Sequence, residues 1–390
     1  MVSIHLDIIK FLLIYRYLQN TYWFKRWESY VMYRQNKKLV EFWKEYYKDR
    51  SAVKVLFLLG KGFDPRMNNI LKLFLENNPE QQLDCIAFDF PNEKDPKENK
   101  KLYEINSRQL AELKDQYGFG YEELQIDGSL PWDKRIAQMS RQVIGKDLSA
   151  YNDVIMDVSS LPRAFYFNIG KALFNKLDKD KSKNLFFAVS ENVTIDEQIK
   201  KTPVIDNIEP LVGFRSLSSR ESNLDRINIL ISLMGDQNID ILRSIYNHFQ
   251  PSDMFPVLPF PSKDPRHSDY LMLKYHEFFT EKQFTEPQNI TYADEQNPFE
   301  LYRIVSNMIQ GHQATFKPIS DHVCFGIALL TSKLLSLGAL LVGLEYNNCV
   351  TIYNVSSANY EIEDTTVFKR INEGSEPFLL WITGEAYNEN

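Results

Sequence analysis

Val53-Lys54-Val55-Leu56-Phe57-Leu58-Leu59 runs directly into Gly60-Lys61-Gly62-Phe63-Asp64-Pro65-Arg66, and this junction decides the fold. A nearly unbroken apolar run without period-two alternation predicts a strand covered on both faces. Two glycines then permit a tight turn and a close backbone approach. Pro65 suits the first turn of a helix, where its missing N–H costs nothing, so a helix is expected over 66–76.

The same unit recurs outward from this point. Leu83–Asp89 reads as a second strand, 96–117 as a charged helix, Tyr121–Ile126 as an edge strand and 132–144 as a helix. Val154–Asp157 ends a third core strand, 161–177 is an apolar helix, and Asn184–Ser190 is the next strand. Strands alternating with helices predict a mostly parallel, Rossmann-like α/β sheet with helices on both faces. The irregular stretch 192–224, with a strand expected at Pro210–Phe214 and a serine-rich loop at Ser216–Ser222, marks the boundary to a second α/β half. That half reads as strands at Ile227–Leu233 and Met254–Leu258, helices at 238–249, 267–279 and 298–309, and closing strands at Cys349–Val355 and Phe378–Thr383. The apolar segment Val323–Leu344 carries Lys333 at its middle, which argues against a membrane span; a buried helix, a Gly338 C-cap and a strand over 339–344 are expected instead. The units are therefore 1–50, 51–215 and 216–390.

Residues 1–50 form a helical extension in this reading, holding ten Lys/Arg against five Asp/Glu and thirteen aromatic side chains. Trp23, Trp27, Tyr30 and Arg34 share one helical face, and Leu39, Trp43, Tyr46 and Tyr47 continue a similar stripe. Such a face must be covered. It packs on the body of the chain, or docks a protein partner through Trp23, Trp27, Tyr30 and Trp43, or grips nucleic acid by phosphate contact and stacking. The whole chain carries a net charge of −7, which argues against a globally basic nucleic-acid surface. Ile8–Leu18 is apolar but interrupted by Lys10 and Arg16 and followed by no small-residue cleavage site, so it does not read as a signal peptide. Cys85, Cys324 and Cys349 are sparse, odd in number and without metal-ligand spacing, as expected of reduced core thiols in the cytoplasm. The six histidines show no paired spacing, so no zinc site is expected.

The chemistry-bearing residues lie in the loops after strands, where open α/β sheets bind ligands. In the first loop, Gly60, Lys61, Gly62 and Arg66 could hold an anion at a helix N-terminus, with Asp64 as a base or Mg²⁺ ligand. The same turn also serves as a plain strand–helix connection. In Asp157-Val158-Ser159-Ser160-Leu161-Pro162-Arg163, Asp157, Ser159, Ser160 and Arg163 could converge on that pocket, with Asp157 as the alternative catalytic base or metal ligand, although a serine there is equally a helix N-cap. Asp89 and Asp236 also end apolar strands, and Asp236 could equally cap the helix that follows. Lys317 is expected just before a helix N-terminus, another anion site, and Pro259–Arg266, with Lys263 and Arg266, could form a lid over the same face. The glycine pattern lacks the third glycine of a dinucleotide fingerprint and the Gly-Lys-Ser/Thr ending of a P-loop.

Residues 53–91 resemble the first motif of class I methyltransferases, in which a glycine-rich loop after the first strand meets S-adenosylmethionine and an acid ending the second strand holds the ribose. The resemblance implies these roles for Gly60, Gly62 and Asp89. No later motif of that family is present. The expectation is a nucleotide or nucleotide-derived ligand site, with group transfer or hydrolysis as the reaction class. The rival is a non-catalytic sensor or scaffold subunit of a multiprotein assembly, such as a bacterial antiviral defence complex, docked through the N-terminal aromatic residues.

Overall fold

The structure is a computed structural model that describes residues 25–90, 96–192, 195–196, 199–203, 208–216, 226–282, 287–320, 322–355, 357–362 and 374–387. Ile8–Leu18, Trp23 and all of the Ser216–Ser222 loop except Ser216 lie outside these residues.

The protein is α/β, as expected. Its first sheet has seven strands in the order β1-β14-β6-β5-β2-β3-β4. These are β1 (Val31–Arg34), β2 (Val55–Lys61), β3 (Leu83–Asp89), β4 (Gly120–Gln125), β5 (Asp153–Asp157), β6 (Asn184–Glu191) and β14 (Glu376–Thr383). The five from β6 to β4 are parallel; β14 pairs antiparallel with both β6 and β1. Every residue of β5 and β6 is buried, which explains the unbroken apolar runs. Helices α1 (Asn36–Tyr47), α2 (Asn69–Asn77), α3 (Lys97–Tyr117), α4 (Trp132–Gly145) and α5 (Arg163–Leu177) accompany this sheet.

The second sheet is wholly parallel, in the order β10-β9-β8-β11-β12. Its strands are β8 (Ile227–Leu233), β9 (Asp253–Pro259), β10 (Thr291–Ala293), β11 (Val323–Leu329) and β12 (Val350–Tyr353). With it come α6 (Ile239–Phe249), α7 (His267–Lys274), α8 (His276–Glu281), α9 (Pro298–Phe316) and α10 (Lys333–Glu345). A separate antiparallel pair joins β7 (Ile199–Pro203) to β13 (Ser357–Ile362), a pairing that no residue pattern announces.

Four expectations are corrected. First, 27–34 is not helical: Trp27 lies in a turn and Val31–Arg34 is an edge strand on β14. Trp27 is 1% exposed, donates from Nε1 to the Ile382 carbonyl (2.9 Å) and packs edge-on to Tyr302. The stripe on α1 is confirmed, with Leu39, Trp43 and Tyr47 buried and Trp43 packed edge-on against Phe74. The aromatic side chains of Trp27 and Trp43 are thus taken up by the chain's own core, while Tyr30 is half-exposed and stacks on Phe299.

Second, the boundary expected near residue 215 does not partition the sheets, because β14 returns to the first one. Third, 323–345 is inverted: Val323–Leu329 is the strand and Lys333–Glu345 the helix. Ser332 caps that helix by accepting from Leu335 N (3.2 Å). Gly338 lies inside it, not at its end, because a Cβ there would stand 2.4 Å from the Pro298 carbonyl; the glycine lets α10 pack closely against α9. Fourth, Lys317 follows α9 and does not precede a helix, so it faces the carboxyl end of a helix, where the dipole disfavours anions.

Candidate functional site

Both sheets reverse their strand order beside their first parallel strand. In the first sheet β2→β3→β4 proceeds one way and β5→β6 the other; in the second, β8→β9→β10 and then β11→β12 do the same. Each sheet therefore has a switch point, between β2 and β5 and between β8 and β11, with a crevice outside the carboxyl ends of those strands.

The first switch point gathers most of the residues singled out from the sequence, and protein atoms fill it. Gly60, near the end of β2, sits against Leu161: a Cβ there would meet the Leu161 side chain at 2.8 Å. Ser160 Oγ donates to the Gly60 carbonyl. The turn from Asp64 to Asn68 precedes α2, which starts three residues later than expected. Asp64 accepts from the Arg66 backbone N–H (3.0 Å), Nε (2.9 Å) and Nη2 (2.8 Å), and Arg66 also pairs with Asp196 (2.9 Å). Burial disfavours the Asp64 carboxylate, but Arg66 outweighs it and holds its pKa below the usual carboxylate value. Asn106 on α3 donates to the Gly62 and Asp64 carbonyls (2.8 and 2.9 Å) and fixes the loop. Lys61 and Asp89 lie to one side: Lys61 pairs with Glu123 (2.8 Å), and Asp89 accepts from the Tyr103 hydroxyl (2.8 Å).

Neither Ser159 nor Ser160 caps α5; the N-cap position is Pro162, without a side-chain bond. Ser159 is instead held inside the sheet edge. Its N–H (2.8 Å) and hydroxyl both donate to Asp157 Oδ1, while its Oγ accepts from Ser190 N (2.8 Å). Asp157 is fully buried, its Oδ2 has no partner among the described residues, and burial pushes its pKa up to about 7.

The open space is the neighbouring cleft, about 910 Å³, onto which the carboxyl edges of both sheets face. Arg163 and Glu191 line it from the first sheet; Gly235, Asp236, Lys263, His267, Glu295 and Ser332–Leu334 line it from the second. Arg163 bridges the two, donating to the carbonyls of Leu329 (3.3 Å), the last residue of β11, and of Thr331 just beyond it. Gly235 is required at the second switch point, since a Cβ would fall 2.3 Å from the Leu330 carbonyl oxygen. Asp236 does not cap α6; Asn238 does, accepting from Asp240 N (2.8 Å). Asp236 instead meets His267 Nε2 (3.0 Å), whose Nδ1 meets Glu295 (3.0 Å). These two carboxylates raise the His267 pKa to about 10, so the ring is an imidazolium at neutral pH and acts as a fixed cation. Glu191 accepts from Leu334 N (2.9 Å) at the start of α10, and burial together with Asp196 pushes its pKa up to about 7.

Of the residues anticipated, Arg163 and Asp236 line the cleft, as does Lys263 of the expected lid segment. Gly60, Asp64, Arg66, Asp157, Ser159 and Ser160 stand behind its wall. Glu191, His267, Glu295 and Lys333 were not anticipated as a group, because their partners are distant in sequence. Among the described residues no group of His, Cys, Asp and Glu is arranged to hold a metal ion. No described helix is long and apolar enough to cross a membrane, and all three cysteines are free and buried.

No protein-family model matches the chain, and no curated protein does. Among solved structures it is similar to MnmC2 from Aquifex aeolicus at 15% identity and a TM-score of 0.23, over 42% of this chain and 53% of that one. The chain thus spans about half of the MnmC2 structure. It is similar to a universal stress protein from Archaeoglobus fulgidus at 8% identity and a TM-score of 0.22, over 76% and 94% of the two chains. It is similar to a branched-chain phosphotransacylase from Enterococcus faecalis at 12% identity and a TM-score of 0.18, over 75% and 98%. At these scores none of the three fixes a ligand or a reaction for this chain.

Proposed function

We propose that the cleft binds a nucleotide or nucleotide-derived ligand. One observation carries this reading: the second switch point opens onto a single cleft, joined there by Arg163 and Glu191 from the carboxyl edge of the first sheet, and its lining carries both signs of charge. Its volume of about 910 Å³ lies in the range of small-molecule sites, roughly 300–1,000 Å³. Arg163, Lys263, Lys333 and the His267 imidazolium offer charge to phosphate or carboxylate groups. Asp236, Asp264 and Glu295 offer acceptors to ribose-type hydroxyls. A group-transfer or hydrolytic step there would draw on Glu191, the lining carboxyl that titrates near neutrality and can take a proton.

The test is a thermal-shift screen against nucleotides, S-adenosylmethionine and nicotinamide cofactors, with and without Mg²⁺. Ligand at 100 times its Kd adds about 2.7 kcal/mol to stability. Lys263→Ala, at a part-exposed lining residue, is expected to weaken binding about tenfold, the loss of roughly 1.4 kcal/mol. Lys317→Ala, remote from the cleft, should leave it unchanged. Absence of a shift with every ligand overturns the reading. Binding without turnover assigns a sensor.

A further inference from the structure

Lys333 is unusual among the basic residues that line the cleft. It is the first residue of α10, directly after the cap Ser332, and its Nζ donates to the Ser159 carbonyl. It forms no ion pair among the described residues, although acids stand on every side. Asp64, from the turn after β2, spends both oxygens on Arg66, and Asp196 pairs with the same guanidinium. Asp157, at the end of β5, is bonded through Oδ1 to Ser159; Glu191, at the end of β6, accepts the Leu334 N–H. The cations Arg66 and Arg163 share the space, and the positive end of the α10 dipole points the same way. Burial is the largest influence on the Lys333 amine; with the two guanidiniums it outweighs Asp64 and Asp196 and lowers the pKa from the ordinary lysine value.

We propose that Lys333 is a nucleophilic amine and that the cleft admits a carbonyl compound which it captures as an imine. A desolvated lysine beside other cations has its lone pair free for attack. The step is balanced without a further reagent. Nζ attacks the carbonyl carbon and forms the C–N bond; the carbonyl oxygen leaves as water with the two hydrogens of the neutral amine; C=N replaces C=O. Glu191, lining the same cleft, is the carboxyl available to relay those protons. The inference goes beyond nucleotide binding and requires only that small molecules enter the cleft.

The experiment uses the full-length wild-type chain, so it does not depend on a substituted protein folding. Trace formaldehyde and cyanoborohydride are applied between pH 6 and 10, and methylated lysines are quantified by peptide mass spectrometry. Lys37, with a side chain 87% exposed, is the internal reference. Each unit by which a pKa falls raises the neutral fraction at pH 7 about tenfold. Lys333 is expected to be modified faster than Lys37 at pH 7, with the advantage shrinking by pH 10. Equal or slower modification at pH 7 overturns the proposal. Formaldehyde has no phosphate, ribose or base, so this result is independent of the nucleotide screen. A reactive Lys333 with no ligand found in the screen keeps the amine and discards the nucleotide.

Discussion

Gly235→Ala tests whether the two switch-point loops of the second sheet meet as tightly as the structure has them. A Cβ at this position would lie 2.3 Å from the Leu330 carbonyl oxygen, 2.8 Å from Thr331 Cα and 3.0 Å from the Leu330 carbonyl carbon. All three are backbone atoms of the β11–α10 connection, so no side chain can swing away. Relief requires β8 and β11 to part at their carboxyl ends, where Leu330 N now donates to the Leu233 carbonyl (3.1 Å). Overpacking of this kind costs about 1–3 kcal/mol, and loss of the backbone hydrogen bond adds roughly 1 kcal/mol. The expected destabilisation is therefore about 2–4 kcal/mol, read as a shift in urea midpoint at constant slope. Gly62→Ala is the control. A Cβ there meets nothing within 4 Å, so the change should be neutral or stabilising by up to about 1 kcal/mol through the unfolded chain. Gly235→Ala within about 0.5 kcal/mol of wild type would refute the close contact, and with it the placement of α10 at the cleft.

Arg66→Met strands the buried Asp64 carboxylate and should cost about 3–5 kcal/mol; a loss below about 1 kcal/mol in the same melts would mean that water reaches Asp64. Trp27→Ala removes a buried indole and its bond to Ile382, at an expected cost of about 3–5 kcal/mol; an unchanged melting temperature would place Trp27 outside the core. Asp157 and Glu191 both have folded pKa values raised to about 7, so between pH 4 and 7 the folded state binds more protons than the unfolded state. Stability should therefore fall as pH rises through that window, a trend measurable by denaturant titration at fixed ionic strength. A stability that climbs from pH 5 to 7 would contradict the burial of these two carboxyls.

Much of the fold could be read directly from the residues. Unbroken apolar runs such as Val55–Leu59 and Val154–Met156 specify strands with both faces covered, and helices between them force parallel pairing. That places the loops after β2, β5 and β8 at carboxyl edges, so Arg163 and Asp236 could be nominated for a site. What failed shares one cause. In Val323–Glu345 every residue of the strand and nearly all of the helix is buried, so periodicity vanishes and the halves are told apart by tertiary contacts: pairing of Val323–Leu329 with both neighbouring strands, and the close approach of Gly338 to Pro298. Val31–Arg34 became an edge strand because β14 returns from the far end of the chain to pair with it.

The site divides in the same way. Sequence alone put glycines, acids and bases beside strand ends, since local backbone geometry needs only neighbouring residues. Tertiary structure decided which of those groups neutralise each other and which face open space. Asp64 and Asp196 were both spent on Arg66, while His267 was set between Asp236 and Glu295, 31 and 28 residues away. Lys333 was carried 174 residues along the chain to the Ser159 carbonyl. Charge pairing and desolvation depend on distance in space, which a linear chain does not encode locally, and these are what turn polar loops into a cleft with a particular chemistry.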